Sequence, residues 1–229
     1  QKDQQSKILS SAGLLTNHKS IEELFSAIEE RVVNLNTGEY EDSLDPKSFD
    51  GKKFEAEDYS RDPLTSIKLM TDVNISSLKR RENFKKIYIY KEEDGIKAII
   101  LPVRGLGLWG TLYGYLAIES DLNTIIGLEY FSHKETPGLG AEVDNPRWKS
   151  QWTGTNIYSS AGEIKIEVIK GLVGPESQEK KYQVDGLSGD TIPSRGVSNM
   201  LSFWLGELGY AKFLNRLKEE IERKESLNV

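Results

Sequence analysis

The segment Asp185-Gly186-Leu187-Ser188-Gly189-Asp190-Thr191 sets a threonine hydroxyl in a short, glycine-rich turn. Gly186 and Gly189 let the backbone reach positive φ and come close to a ligand. A helix starting after such a turn presents N–H groups that have no intrahelical partner, and these favour a phosphate. The same residues also suit a plain strand-to-helix connection with Thr191 or Ser194 as N-cap. Local chemistry leaves both readings open.

Two further segments carry chemistry-bearing residues. Gly105-Leu106-Gly107-Leu108-Trp109-Gly110 has the letters of a dinucleotide fingerprint, but Thr111 to Ile118 after it is aromatic and β-prone. No helix N-terminus would meet a pyrophosphate there, so the segment reads as a glycine-rich turn in a sheet. His133-Lys134-Glu135-Thr136-Pro137-Gly138-Leu139-Gly140 contains a His-x-Glu pair of the kind found in zinc deaminases. That chemistry needs cysteine ligands, and the chain has no cysteine. His18 and His133 lie too far apart in sequence to suggest a metal set, and no nucleophile elbow supports a serine triad. Read alone, Thr136-Pro137-Gly138 is a turn at a strand end.

Together these segments resemble the motifs of the FMN-binding domain family. The stretch from Asp185 to Thr191 resembles its attachment motif, in which a flavin transferase joins the phosphate of FMN to a threonine hydroxyl as a phosphodiester. The resemblance implies Thr191 as acceptor and Asp185, Gly186, Ser188 and Gly189 as recognition residues, with one covalent FMN per chain. Asp190 stands where the family usually has alanine, and Pro193 where a second hydroxyl residue is common. It further implies that Trp109, Gly110 and Thr111 border the flavin, as do Glu135, Thr136, Gly138, Leu139 and Gly140. An isoalloxazine ring is flat, largely apolar and edged with hydrogen-bonding groups, so it wants apolar faces and polar rim contacts. Trp109 and Leu139 suit the faces. Thr111, Thr136, Gly138 and Gly140 suit the rim, and Glu135 suits ribityl or ring groups. Lys165 and Lys170 fall near a region of flavin-facing positive charge in the family, but here they read as solvated strand residues.

Within the family, Phe203-Trp204-Leu205-Gly206, Gly209-Tyr210 and Phe213-Leu214 resemble the C-terminal signature of the branch serving sodium-translocating NADH:quinone oxidoreductases. Trp148-Lys149-Ser150-Gln151-Trp152 resembles another segment of that branch. The resemblance implies a redox carrier, with no catalytic side chain of its own. It would take electrons from an iron-sulfur centre in neighbouring membrane subunits and pass them to a second covalent FMN on the way to quinone, coupled to sodium export. It also implies a single N-terminal transmembrane helix, not present in this chain, and a soluble domain on the periplasmic face of a bacterial inner membrane. The alternatives are a G-type subunit of the Rnf electron-transport complex and a flavin-free extracytoplasmic binding module.

The elements that must position these residues point to an α+β fold, an antiparallel sheet core with flanking helices. Lys2 to Ser11 reads as a helix ended by Gly13, and Ser20 with Glu23 forms a capping box for a helix from Ile21 to Val33. Asn34 to Asn83 is charged and punctuated by glycine and proline, and reads as a partly irregular surface excursion. Lys86 to Tyr90 and Ile96 to Val103 flank a hairpin signal at Glu92-Glu93-Asp94-Gly95, and Gly110 to Glu119 and Thr124 to Ser132 continue the meander. Gly138 to Trp152 reads as a loop with a short helix around Asn145-Pro146-Arg147-Trp148. Glu163 to Ile169 and Lys181 to Val184 read as strands, and Val197 to Leu205 as a helix. The tail to Lys224 is helix broken near Gly206 and Gly209, with Phe213, Leu214, Leu217 and Ile221 on one face. These divide into residues 1–83, helices and excursion packed on the main domain, and 84–229, the FMN-binding domain with its C-terminal helices.

At 229 residues the chain can bury a real core. A net charge of -6 argues against a nucleic-acid surface, and the absence of cysteine excludes disulfides, iron-sulfur ligation and thiolate zinc sites. The sequence holds no apolar run long enough to span a bilayer.

Overall fold

The computed structural model describes residues 2–49, 64–70, 75–107, 110–133, 140–187 and 191–227. Alternating β-branched and aromatic residues build six strands of one antiparallel sheet: β1 (Ile28–Asn34), β2 (Glu39–Tyr40), β5 (Phe84–Glu92), β6 (Gly95–Leu106), β7 (Thr111–Glu119) and β8 (Ile125–Ser132). Their order across the sheet is β2-β1-β5-β6-β7-β8. The hairpin predicted at Glu92 to Gly95 joins β5 to β6, and the meander continues through β8 as expected. Successive side chains on a strand point to opposite faces. Ile87, Ile89, Ile99, Leu101, Leu112 and Leu116 therefore pack on one face, and Tyr88, Ala98, Ile100, Tyr115 and Ala117 on the other.

The second of these faces is covered by α1 (Lys2–Ser11), which ends before Gly13 at φ +67°, and by α2 (Ile21–Phe25). The capping box forms as predicted: Ser20 Oγ accepts from Glu23 N at 3.2 Å, and Ser20 N donates to Glu23 Oε2 at 2.8 Å. The helix is shorter than predicted, because Ile28 to Asn34 pairs along its whole length with β5. Residues with helical spacing are here strand residues, since burying Val32 and Val33 within a sheet outweighs local periodicity. Residues 1–83 thus supply two strands of the same sheet as residues 84–132.

The segment from Asn34 to Asn83 is less superficial than predicted. It contains β3 (Ser66–Lys68) and β4 (Arg80–Glu82), an antiparallel pair, and it buries Leu35, Leu69, Leu78, Glu82 and Asn83.

Between β8 and the C-terminal helices lie a 3-10 helix (Gly140–Asp144), α3 (Pro146–Lys149) capped by Asn145, and a second 3-10 turn (Ser150–Trp152). The first face of the sheet receives α4 (Thr191–Leu205) and α5 (Ala211–Leu227). Their junction is pinned to β6: Trp204 Nε1 donates to the Arg104 carbonyl at 2.6 Å, and the Tyr210 hydroxyl to that of Pro102 at 2.7 Å. The tail motif of aromatic residues and glycines is thus the lock between the helices and the sheet. Phe213, Leu214 and Leu217 are buried, as the apolar stripe of α5 predicts.

The long strand expected at Glu163 to Ile169 reduces to β9 (Glu167–Val168), paired in parallel with β10 (Gln183–Val184). Alternation there reflects a half-buried irregular segment, with Ile166 and Val168 turned inward. Lys165 and Lys170 are exposed.

Candidate functional site

The described flanks of the three motif segments meet at one end of the sheet. Thr191 is the first residue of α4. Five residues on, Gly196 sits against the end of β6; a Cβ placed on it would stand 2.6 Å from the Leu106 carbonyl oxygen and 3.9 Å from Gly107 Cα. Only glycine lets the helix start approach the glycine-rich turn this closely. Gly107 N in turn donates to the Gly110 carbonyl at 2.7 Å, and half-buried Thr111 pairs with Leu106 at the start of β7.

From the other side the helix start is tied to the segment after β8. His133 Nε2 lies 2.7 Å from Asp144 Oδ2, fastening the end of β8 to the 3-10 helix that begins at Gly140. Trp148 Nε1 donates to the Asp185 carbonyl at 2.8 Å, and Leu187 N donates to Ser194 Oγ at 3.1 Å. Ser194 was one of the two candidate N-caps. Its hydroxyl indeed accepts from the incoming turn, although the helix has already begun at Thr191.

Gly110 and Thr111 thus stand where the chain enters β7, Gly140 at the start of the first 3-10 helix and Thr191 at the start of α4, while Asp185 is bonded to α3 and Gly186 to Gly171. Trp109, Glu135, Thr136, Gly138, Leu139, Ser188 and Gly189 lie outside the described residues. Sequence reasoning missed the partners that hold the arrangement: Gln151, Val173 and Gly171 around Asp185 and Gly186. No local signal marks them, since their role depends on chain segments brought together by folding.

Two buried polar features stand beside this region. Tyr130 on β8 is 2% exposed, and among the described residues its hydroxyl has no hydrogen-bond partner. Burial, and then the nearby Asp144 carboxylate, push its phenol well above the usual value. The second is an ion cluster under β4: Glu82 Oε2 accepts from Arg104 Nη2 at 2.7 Å while Oε1 pairs with Lys85 Nζ. Lys85 also stands 5.0 Å from the centroid of the Trp204 ring. Burial alone would raise the Glu82 carboxyl, but the Arg104 guanidinium and Lys85 ammonium outweigh it and hold the group well below the usual carboxylate range.

A surface groove of about 600 Å³ runs among Gln151, Thr155, Val173, Lys180 and Gln183, beyond Asp185. No described residue of the three motif segments lines it, but Gln151 and Val173, which hydrogen-bond to Asp185, do.

Comparison with known proteins gives a consistent result. The FMN-binding domain family matches residues 107–206. The chain is 43% identical to the NqrC subunit of the Na(+)-translocating NADH-quinone reductase of Pseudomonas aeruginosa over 221 residues, covering 95% of this chain and 83% of the relative. It is 40% identical to the same subunit from Neisseria meningitidis over 218 residues, covering 94% and 81%. The crystal structure of Shewanella oneidensis NqrC superposes with a TM-score of 0.84 at 30% identity, over 95% of this chain and 98% of that one.

Proposed function

The chain belongs to the NqrC family of Na(+)-translocating NADH-quinone reductase subunits and carries its FMN-binding domain, and from that premise we propose that it holds one FMN covalently on Thr191 as an electron carrier of the complex. FMN, when bound, supplies the one- and two-electron redox chemistry, so the reaction asks no side-chain nucleophile or general base of this chain. The chain's residues bind, orient and shield.

The observation that carries this reading is the approach of the α4 start to the glycine-rich turn at Gly196, Leu106 and Gly107. Thr191 begins the same helix five residues earlier, and a helix start carries N–H groups without intrahelical partners. The first turn of α4 contains no acidic residue, so the carboxylate next in sequence to the attachment residue is that of Asp190. A small-residue turn, a helix N-terminus and a threonine form a donor set that fits a planar cofactor with a phosphate tail. Trp109 and Leu139 would cover the ring faces, Gly110, Thr111, Thr136, Gly138 and Gly140 would meet its rim, and Glu135 its ribityl or ring groups. Ser188 and Gly189 complete the attachment turn.

In the assembled complex the carrier takes electrons from an iron-sulfur centre of neighbouring membrane subunits and passes them to a second covalent FMN and on to quinone, with sodium export. A flavin transferase matures it, and an N-terminal transmembrane helix holds the domain at the periplasmic face. Among the described residues no helix is long and apolar enough to cross a membrane. Membranes holding the whole complex test this role. NADH should reduce the flavin of this subunit, and Thr191→Ala should abolish that signal and NADH-driven quinone reduction together. Quinone reduction at the wild-type rate by the Thr191→Ala complex would refute the carrier role.

A further inference from the structure

We propose that Trp148 and Gln151 are positioning residues that hold the acceptor loop ready for flavin attachment, an inference resting on the reading that Thr191 is the acceptor. Asp185 is gripped at both backbone ends: its carbonyl accepts from Trp148 Nε1 at 2.8 Å, and its N–H donates to Gln151 Oε1 at 2.9 Å. Its carboxylate oxygen Oδ1 accepts from Val173 N at 2.7 Å. Gly186 N donates to the Gly171 carbonyl at 2.7 Å, and a Cβ on Gly186 would stand 2.5 Å from the Ile169 carbonyl oxygen. Leu187 N is taken by Ser194 Oγ.

The N–H groups of Asp185, Gly186 and Leu187 are therefore all engaged within the chain, as is one oxygen of the Asp185 carboxylate. Asp185 and Gly186 build the loop rather than offering their backbone to an incoming enzyme. Trp148 lies on α3 and Gln151 on the 3-10 turn that directly follows it, buried Trp148 packing edge to face on Trp152 of that turn with ring centroids 5.3 Å apart. Their grip comes from a rigid element, as accurate placement of a reacting group requires.

Attachment forms a bond between Thr191 Oγ and phosphorus. FMN itself would have to expel water, so the donor is a flavin dinucleotide. The phosphoanhydride P–O bond breaks, a nucleoside monophosphate leaves, the hydroxyl proton passes to a base of the transferase, and nothing is oxidised or reduced. An arm of the loop already held at Asp185, Gly186 and Leu187 saves the transferase part of the cost of ordering the loop on docking. One net hydrogen bond lost from the grip corresponds to roughly a fivefold change.

The test uses the folded chain, purified transferase and flavin dinucleotide, following flavin gain by intact mass. Trp148→Phe, which keeps a ring but loses the N–H, and Gln151→Ala should each raise the transferase KM for the chain roughly fivefold, with kcat unchanged. Gln151→Glu, which keeps an acceptor for Asp185 N, should restore KM towards wild type. A melting curve on each variant confirms that it is folded. Wild-type KM in folded Trp148→Phe and Gln151→Ala chains overturns this inference alone. A wild-type chain that gains no flavin overturns the acceptor reading, and this inference with it.

Discussion

Gly196 of α4 lies against Leu106 of β6 so closely that the Leu106 carbonyl oxygen occupies the space of a side chain, 2.6 Å from where a Cβ would stand. The contact seats the second turn of α4, the helix that Thr191 begins, against the end of β6.

Gly196→Ala should therefore destabilise the chain, although alanine is the better helix former by about 1 kcal/mol. The Cβ meets a backbone oxygen that cannot rotate away, and such overpacking costs about 1–3 kcal/mol. Denaturant unfolding should show a lower midpoint, and flavin attachment should slow as the helix start is pushed off the turn. A more stable variant would mean that α4 is not seated on β6 in this way.

Acid stability should depend on Glu82. The unfolded carboxyl takes up its proton near 4.5, whereas the folded group, held by Arg104 and Lys85, does so well below that. Its contribution is thus fully present above that value and is lost progressively as pH falls below it, because the unfolded chain binds the proton first. Glu82→Gln should cost about 3–5 kcal/mol at neutral pH by leaving two cations facing an amide. It should also flatten the acid limb of the stability curve. An unchanged acid limb would contradict the ion cluster.

Tyr130→Phe should stabilise the flavin-free chain by about 1 kcal/mol, since a buried hydroxyl without a partner costs about 1–3 kcal/mol. Thermal and denaturant unfolding of the pair of proteins measure this. A loss of stability instead would show that the hydroxyl has a partner in solution, such as an ordered water.

Much of this arrangement is legible in the sequence because its signals are local. The β5–β6 hairpin declares itself through Glu93-Asp94 between alternating strands, and α5 through its apolar stripe. The errors arise where long-range contacts override local pattern. Ile28 and Val32 fit a helical face, but pairing with the residues of β5 makes their segment a strand. Glu82 reads as a surface charge until Arg104, distant in sequence, is brought to it. At the candidate site, Thr191 and its glycines stand out by type and spacing. Gln151 and Val173 do not, because only the fold brings them to Asp185.

The most direct measurement of the central claim is intact mass with peptide mapping of the chain co-produced with its flavin transferase, beside the Thr191→Ala variant. The wild-type chain should gain the mass of one FMN less one water on the peptide containing Thr191, and the variant should gain nothing. An unmodified wild-type chain, in cells where a control substrate is flavinylated, or flavin retained by the variant, would contradict attachment at Thr191.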